Sequence, residues 1–197
     1  MHRAFFHSAV VLSPRRCCEP AVTDAIRAFA RERRYSAPTL ERWLALDSAD
    51  GQALLELAQD LRLGENQLRD LWEWTEEIAQ RDHRSLTQVL THESVATPRR
   101  SRSLGRNDKL KLIKAALRRL RFPQLAATEE RLAALVRQLD LPRNIRVTFP
   151  EFLEGDDVRI EIVADSVASL EAAADRLRAA AGTPACTAIF RILEEAP

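Results

Sequence analysis

The sequence predicts an α+β protein that is mostly helical, with an N-terminal helical bundle joined by a basic linker to a small αββα dimerisation module. Three observations predict this class. Apolar residues recur at helical spacing over most of the chain. Two short segments, 145–149 and 158–162, alternate apolar and polar residues as strands do. Between them and the bundle, residues 91–106 are rich in Ser and Arg and poor in core-forming side chains.

The bundle is predicted over residues 23–90, after a poorly ordered leader over residues 1–22. Leucines around Gly64 have the spacing of a helix-turn-helix, with a fourth helix from about residue 65 to 80. That helix would present many carboxylates, which repel phosphates, so we favour a packing motif over a DNA-reading one. If the helix did read bases, the candidate side chains would be Asn66, Gln67 and Arg69.

The positive charge of the chain is concentrated in one stretch. The formal net charge is only +1, yet residues 99–121 contain ten Lys or Arg against one Asp, and all three lysines lie there. Residues 91–106 are predicted to be a flexible linker, and residues 107–197 to hold a helix followed by the αββα module. The predicted phosphate-contacting residues are Arg99, Arg100, Arg102, Arg106, Lys109, Lys111, Lys114 and Arg118.

The two alternating segments predict a β-hairpin with one apolar face. Because an isolated two-stranded hairpin is marginally stable in water, we expect it to pair with a second copy to form a four-stranded sheet. The predicted dimer interface is the apolar face itself, which consists of Ile145, Val147, Phe149, Val158, Ile160 and Ile162.

Residues 130–147 (ERLAALVRQLDLPRNIRV) and 158–178 (VRIEIVADSVASLEAAADRLR) resemble the C-terminal dimerisation module of ParB-type chromosome and plasmid partition proteins. The resemblance implies homodimerisation through the strands and the last helix, with basic residues contacting DNA without sequence preference. In that family arginine-rich nucleotide-binding motifs lie among strands, whereas ARERRYSA at residues 30–37 ends a predicted helix. We therefore expect no N-terminal nucleotide-binding domain, and neither binding nor hydrolysis of CTP.

Sequence motifs for catalysis are lacking, so we expect a protein that is not an enzyme and has no cofactor. The chain has no glycine-rich phosphate loop and no nucleophile elbow. His2, His7, Cys17 and Cys18 could ligate zinc, but their spacing fits no standard finger, so we expect no metal. Three cysteines without a disulfide framework, and no apolar run long enough to span a bilayer, predict a cytoplasmic protein without a membrane partner.

Two functions are consistent with these patterns. The first is a nucleoid-associated homodimer that binds DNA through the basic stretch. The second is a protein-interaction adaptor, in which the bundle docks a protein partner through Trp72, Trp74 and its acidic surface while the αββα module only dimerises.

Overall fold

The computed structural model describes residues 20–195, which are mostly helical with one two-stranded antiparallel sheet. This confirms a mostly helical α+β class. The chain divides into two compact units, Met1–Arg121 and Phe122–Pro197, which we describe separately as the N-terminal and C-terminal units. The predicted leader lies outside the described residues except for its last three, which begin the first helix.

The N-terminal unit contains seven helices among its described residues. They are α1 (Pro20–Glu32), α2 (Ala37–Leu44), α3 (Ser48–Asp60), α4 (Glu65–Asp82), α5 (Leu86–Leu90), α6 (Glu93–Arg100) and α7 (Arg106–Arg121). Side-chain caps fix the starts of α3 and α5, among others: the Asp47 carboxylate accepts the amide of Asp50, and the Ser85 hydroxyl accepts that of Gln88.

The core of the N-terminal unit is built around α4, which packs against α5 and α7. Its inward face carries Leu68, Leu71 and Trp72, all fully buried. From α7, Ile113 and Leu117 are also fully buried and belong to the same cluster. The apolar stripe predicted for this basic helix therefore holds it against the bundle.

Residues 91–106 were predicted to form a flexible linker, and this prediction is wrong. Eight of these residues form α6, which His92 caps, and the side chains of Val95 and Ala96 are buried. Because α6 packs against α7, the segment is an ordered part of the N-terminal unit. The helix predicted to begin the C-terminal domain at residue 107 also belongs to the N-terminal unit.

The C-terminal unit places a hairpin among three helices. Its elements are α8 (Pro123–Gln138), β1 (Ile145–Thr148), a 3-10 helix (Glu151–Leu153), β2 (Arg159–Ile162), α9 (Val167–Ala181) and α10 (Pro184–Glu195). The strands pair in antiparallel register, with Ile145 opposite Ile162 and Val147 opposite Ile160. The unit's core lies mainly between α8 and α10, with Leu132, Ile189 and Leu193 buried.

Candidate functional site

The eight residues predicted to contact phosphates all lie in the N-terminal unit, on α6, on α7 or between them. Their side chains do not form one free basic surface. Some are paired with acidic groups of the same unit, some donate to backbone carbonyls, and a few are exposed without a partner among the described residues.

Two of the eight form ion pairs across the bundle. The Arg99 guanidinium donates to the Asp60 carboxylate of α3 at 2.7 Å, and its side chain is only 15% exposed. The Lys114 ammonium lies 3.4 Å from the Asp70 carboxylate of α4. Each pair neutralises a charge that the DNA hypothesis requires, because a cation already paired with a carboxylate attracts phosphate less strongly.

Two further cations hold backbone carbonyls. Arg106 donates from Nε to the Leu61 carbonyl at 2.6 Å and from Nη2 to the Gln67 amide oxygen at 3.0 Å. The Lys109 ammonium donates to the Arg99 carbonyl at 2.9 Å. These bonds tie the start of α7 to the turn before α4 and to the end of α6, which is a structural role.

Three cations remain available to a partner. Arg100, Arg102 and Lys111 are exposed, and within residues 20–195 the structure gives them no ion pair or side-chain hydrogen bond. Arg118, the last of the eight, is half-buried. The basic surface is therefore smaller than the sequence suggests.

Helix α4 supplies carboxylates both to the basic stretch and to α2. Its acidic side chains meet cations from two neighbouring helices: Arg42 of α2 contacts Glu76, and Arg121 of α7 contacts Glu77. A recognition helix needs a face open to the DNA groove and free of negative charge. Helix α4 instead uses its carboxylates to bind its neighbours, which agrees with the packing interpretation.

The first residue of α4 is also engaged within the unit. The Glu65 carboxylate accepts hydrogen bonds from the hydroxyls of Ser36 and Thr39, and from the Ser36 amide at 3.1 Å. These bonds, the Ser36 hydroxyl foremost, hold the pKa of Glu65 below its usual value. Nearby, Tyr35 donates its hydroxyl to the Leu63 carbonyl at 2.9 Å, and burial raises the pKa of Tyr35 to about 12.

The two tryptophans named for docking in the adaptor hypothesis differ in burial. Trp72 is fully buried, so the prediction that a partner docks on its side chain is wrong. Trp74 is half-buried, and the Lys114 ammonium lies 5.9 Å from its ring centroid. That distance is within range of a cation–π contact, so Trp74 helps to hold α7 on α4.

The six apolar residues of the hairpin face divide into inner and outer positions. Phe149 and Val158 pack against the core of the C-terminal unit, and Ile145 is 7% exposed. In contrast Ile160, on β2, is 49% exposed. Val147 and Ile162 are half-buried. The C-terminal unit therefore buries part of the apolar face of the hairpin. The most exposed residue of this face is Ile160 on β2.

An apolar groove lies beside this uncovered part of the sheet. It encloses about 340 Å³, and its walls are almost entirely apolar. It is lined by Val147 and Ile160 of the hairpin, by Leu177 of α9 and by Phe190 of α10. Phe190 is itself 46% exposed.

Exposed apolar residues are concentrated in the C-terminal unit. Of the large apolar side chains exposed among the described residues, one (Leu112) is in the N-terminal unit. The other six are Phe152, Ile160, Val163, Val167, Leu170 and Phe190. The C-terminal unit therefore leaves more large apolar side chains in contact with water than the N-terminal unit does.

Comparison with protein-family models, curated proteins and solved structures gives no significant match to this chain. The resemblance to ParB-type partition proteins therefore stays a prediction. Between residues 20 and 195, no three His, Cys, Asp or Glu side chains are grouped to hold a metal ion. The zinc candidates at the N-terminus lie outside this range. In the same range, every helix is too short or too polar to cross a bilayer.

Some of the residues that shape these surfaces were not identified from the sequence. Arg42 forms an ion pair with Glu76, and Glu65 accepts hydrogen bonds from Ser36 and Thr39; these partners are far apart in the sequence, so no local pattern reveals them. Phe190 had a local signal: it is a large apolar residue beside the buried stripe of Ile189, Ile192 and Leu193, and so points away from it.

Proposed function

We propose that this protein is a non-enzymatic interaction protein that works as a homodimer, with self-association through the C-terminal unit. The observation that carries the proposal is the half-exposed Ile160 on an edge strand, β2, of a two-stranded sheet, next to an apolar groove. An edge strand with apolar residues is a template for pairing with another chain.

The size of the C-terminal unit supports self-association. A two-stranded sheet buries little apolar surface by itself, and six large apolar side chains of this unit remain exposed. Covering them removes apolar surface from water, at about 25 cal/mol for each Å² buried. A second copy supplies the same apolar surface, so one interface covers apolar side chains of both copies.

Sedimentation velocity over a range of protein concentrations tests the dimer. We expect a dimer for the native chain and a shift to monomer for Ile160→Asp, because a carboxylate at this position would have to be buried without a partner. Leu112→Asp is the matched control, since Leu112 is 44% exposed and lies in the other unit. A native chain that stays monomeric at every concentration would refute the proposal.

We propose DNA contact without sequence preference as a second function of the same dimer, in line with the resemblance to partition proteins and with a location on the nucleoid. It is supported by the three exposed cations Arg100, Arg102 and Lys111, which are unpaired within the described residues. Three cations from each protomer give a dimer about six phosphate contacts, and a log-log salt slope of about −5.

Fluorescence anisotropy with a duplex DNA at several salt concentrations tests this second function. Replacing Arg100, Arg102 and Lys111 together with Ala is expected to remove most of the binding and most of the salt slope. The control triple, Arg31→Ala, Arg69→Ala and Arg84→Ala, removes the same charge at exposed sites outside the basic stretch. Equal losses from both triples, or no binding by the native chain at low salt, would refute DNA contact at these residues.

A further inference from the structure

The backbone of β2 has one side without hydrogen-bond partners among the described residues. The Val163 amide donates to the Asn144 carbonyl at 2.9 Å, so these two residues form a hydrogen-bonded pair of the ladder. Hydrogen-bonded and non-bonded pairs alternate along antiparallel strands. The backbone groups of Arg159 and Glu161 therefore point toward β1, whereas those of Ile160 and Ile162 point away from it. We call this outward side the open edge of β2.

The open edge is accessible within its own unit. The sheet has two strands among the described residues, so no third strand covers β2 there. Arg159, Ile160 and Glu161 are all exposed. On β1, by contrast, Ile145 is buried and Val147 half-buried. The unit therefore covers β1 more than β2, and β2 is the strand left for a partner.

The charges on the polar face select one way of pairing two copies of β2. With Ile160 opposite Ile160 of the second copy, Arg159 faces Glu161 of that copy, and the reverse pair repeats this contact. The two neighbouring antiparallel registers that keep the apolar residues on one face oppose like charges. One of them places Arg159 opposite Arg159, and the other places Glu161 opposite Glu161. Directly opposed like charges destabilise a strand pair.

The apolar face and the hairpin agree with the same register. Pairing at Ile160 brings the two half-exposed Ile160 side chains together and sets Val158 opposite Ile162 of the second copy. On the polar face Glu161 already lies opposite Arg146 across the hairpin. In the paired sheet it would sit between two arginines, so charges alternate in sign across the strands.

We propose that the homodimer forms by antiparallel pairing of the open edges of β2, centred on Ile160, with Arg159 of each copy facing Glu161 of the other. This inference rests on the proposed dimer and adds how its two copies pair. The strand that binds the open edge is β2 of a second copy of this chain. Its self-complementary charge pattern, positive then negative around Ile160, is the observation that identifies the occupant.

A charge-reversal experiment on the full chain tests this register. Arg159→Glu and Glu161→Lys each turn both cross-strand pairs from attractive to repulsive, and each is expected to weaken self-association by about 30-fold. Mixing the two variants restores attraction at both pairs. We therefore expect the mixture to form heterodimers that neither variant forms alone, measured by sedimentation and by native mass spectrometry with protomers of different mass.

The outcomes separate the register from the dimer. If the native chain is a dimer and Arg159→Glu associates equally well, the Ile160-centred register is wrong while the proposed dimer stands. If both variants lose association but the mixture forms no heterodimer, the register is also wrong. Because Glu161→Lys places a second cation opposite Arg146 within the hairpin, far-UV circular dichroism of each variant accompanies the measurement. A monomeric native chain would refute the dimer itself.

Discussion

The clearest test of the N-terminal unit is the replacement of Asp50 by Ala. Asp50 lies on α3 and is 8% exposed. Its carboxylate accepts the amide of Leu86 at 3.2 Å, and both the amide and the hydroxyl of Thr87 at 2.7 Å. One side chain thus satisfies two free amides at the start of α5, and joins α3 to the part of the chain that continues into α6 and α7.

The cost of this replacement follows from the bonds lost. A hydrogen bond to a charged group contributes about 1.5 to 3 kcal/mol, but the Thr87 groups are only partly buried and water can replace some of what they lose. We expect Asp50→Ala to lower the free energy of unfolding by about 3 kcal/mol, and the melting temperature by about 15 °C.

Urea unfolding followed by tryptophan fluorescence measures the loss of unfolding free energy in the N-terminal unit. All three tryptophans, Trp43, Trp72 and Trp74, lie in the N-terminal unit, so their emission reports on that unit. The control is Asp47→Ala, which removes one helix-capping bond at 2.9 Å and should cost about 1 kcal/mol. Equal losses for the two variants would show that Asp50 does not hold α5 as described.

Two further predictions concern pH. Tyr35→Phe should cost about 1 kcal/mol at neutral pH, because the bond to the Leu63 carbonyl is lost. Since folding raises the pKa of Tyr35 to about 12, its contribution is full below about pH 10 and disappears as the pH rises toward the folded value; a cost that stays constant in alkaline unfolding curves would contradict this. Glu65→Gln should cost roughly 0.5 to 1 kcal/mol at neutral pH, reduced by its contact with solvent. Folding lowers the pKa of Glu65, so this contribution is present above about pH 4 and is lost as the pH falls through the folded value; acid unfolding curves that remain parallel for the native chain and the Glu65→Gln variant would exclude it.

Local patterns in the sequence predicted most of the secondary structure. The alternation of Ile145 with Val147, and of Ile160 with Ile162, predicted two strands, and both are present. The helical stripe containing Ile113 and Leu117 predicted α7, and both residues are buried in it. In each case a repeated apolar position selects one face, which the fold then buries.

The ordered segment after α5 could not be predicted in this way. Helix α6 contains Ser94, Thr97 and an internal Pro98, all typical of loops, and it is held by the buried Val95. Val95 and Ala96, the two buried residues of α6, are adjacent in sequence and too few to give a periodic signal. Tertiary packing therefore overrode local propensity here.

The ion pairs that neutralise part of the basic stretch also could not be predicted from local sequence patterns. Lys114 meets Asp70 across 44 residues of sequence, and Arg99 meets Asp60 across 39. Composition identified the cations correctly but could not show that α4 and α3 place carboxylates beside them. These two carboxylates, together with the hydrogen bonds of Arg106 and Lys109, are the main reason why three of the eight predicted cations are both exposed and unpaired within the described residues.

Hydrogen exchange at single amides of β2 tests the central claim, that its open edge pairs with a second copy. In a lone hairpin the amides of Ile160 and Ile162 point away from β1 and should exchange quickly, whereas those of Arg159 and Glu161 are bonded and protected. At protein concentrations where the dimer forms, we expect strong protection of Ile160 and Ile162 as well. Fast exchange of these two amides at every concentration, beside protected Arg159 and Glu161, would contradict it.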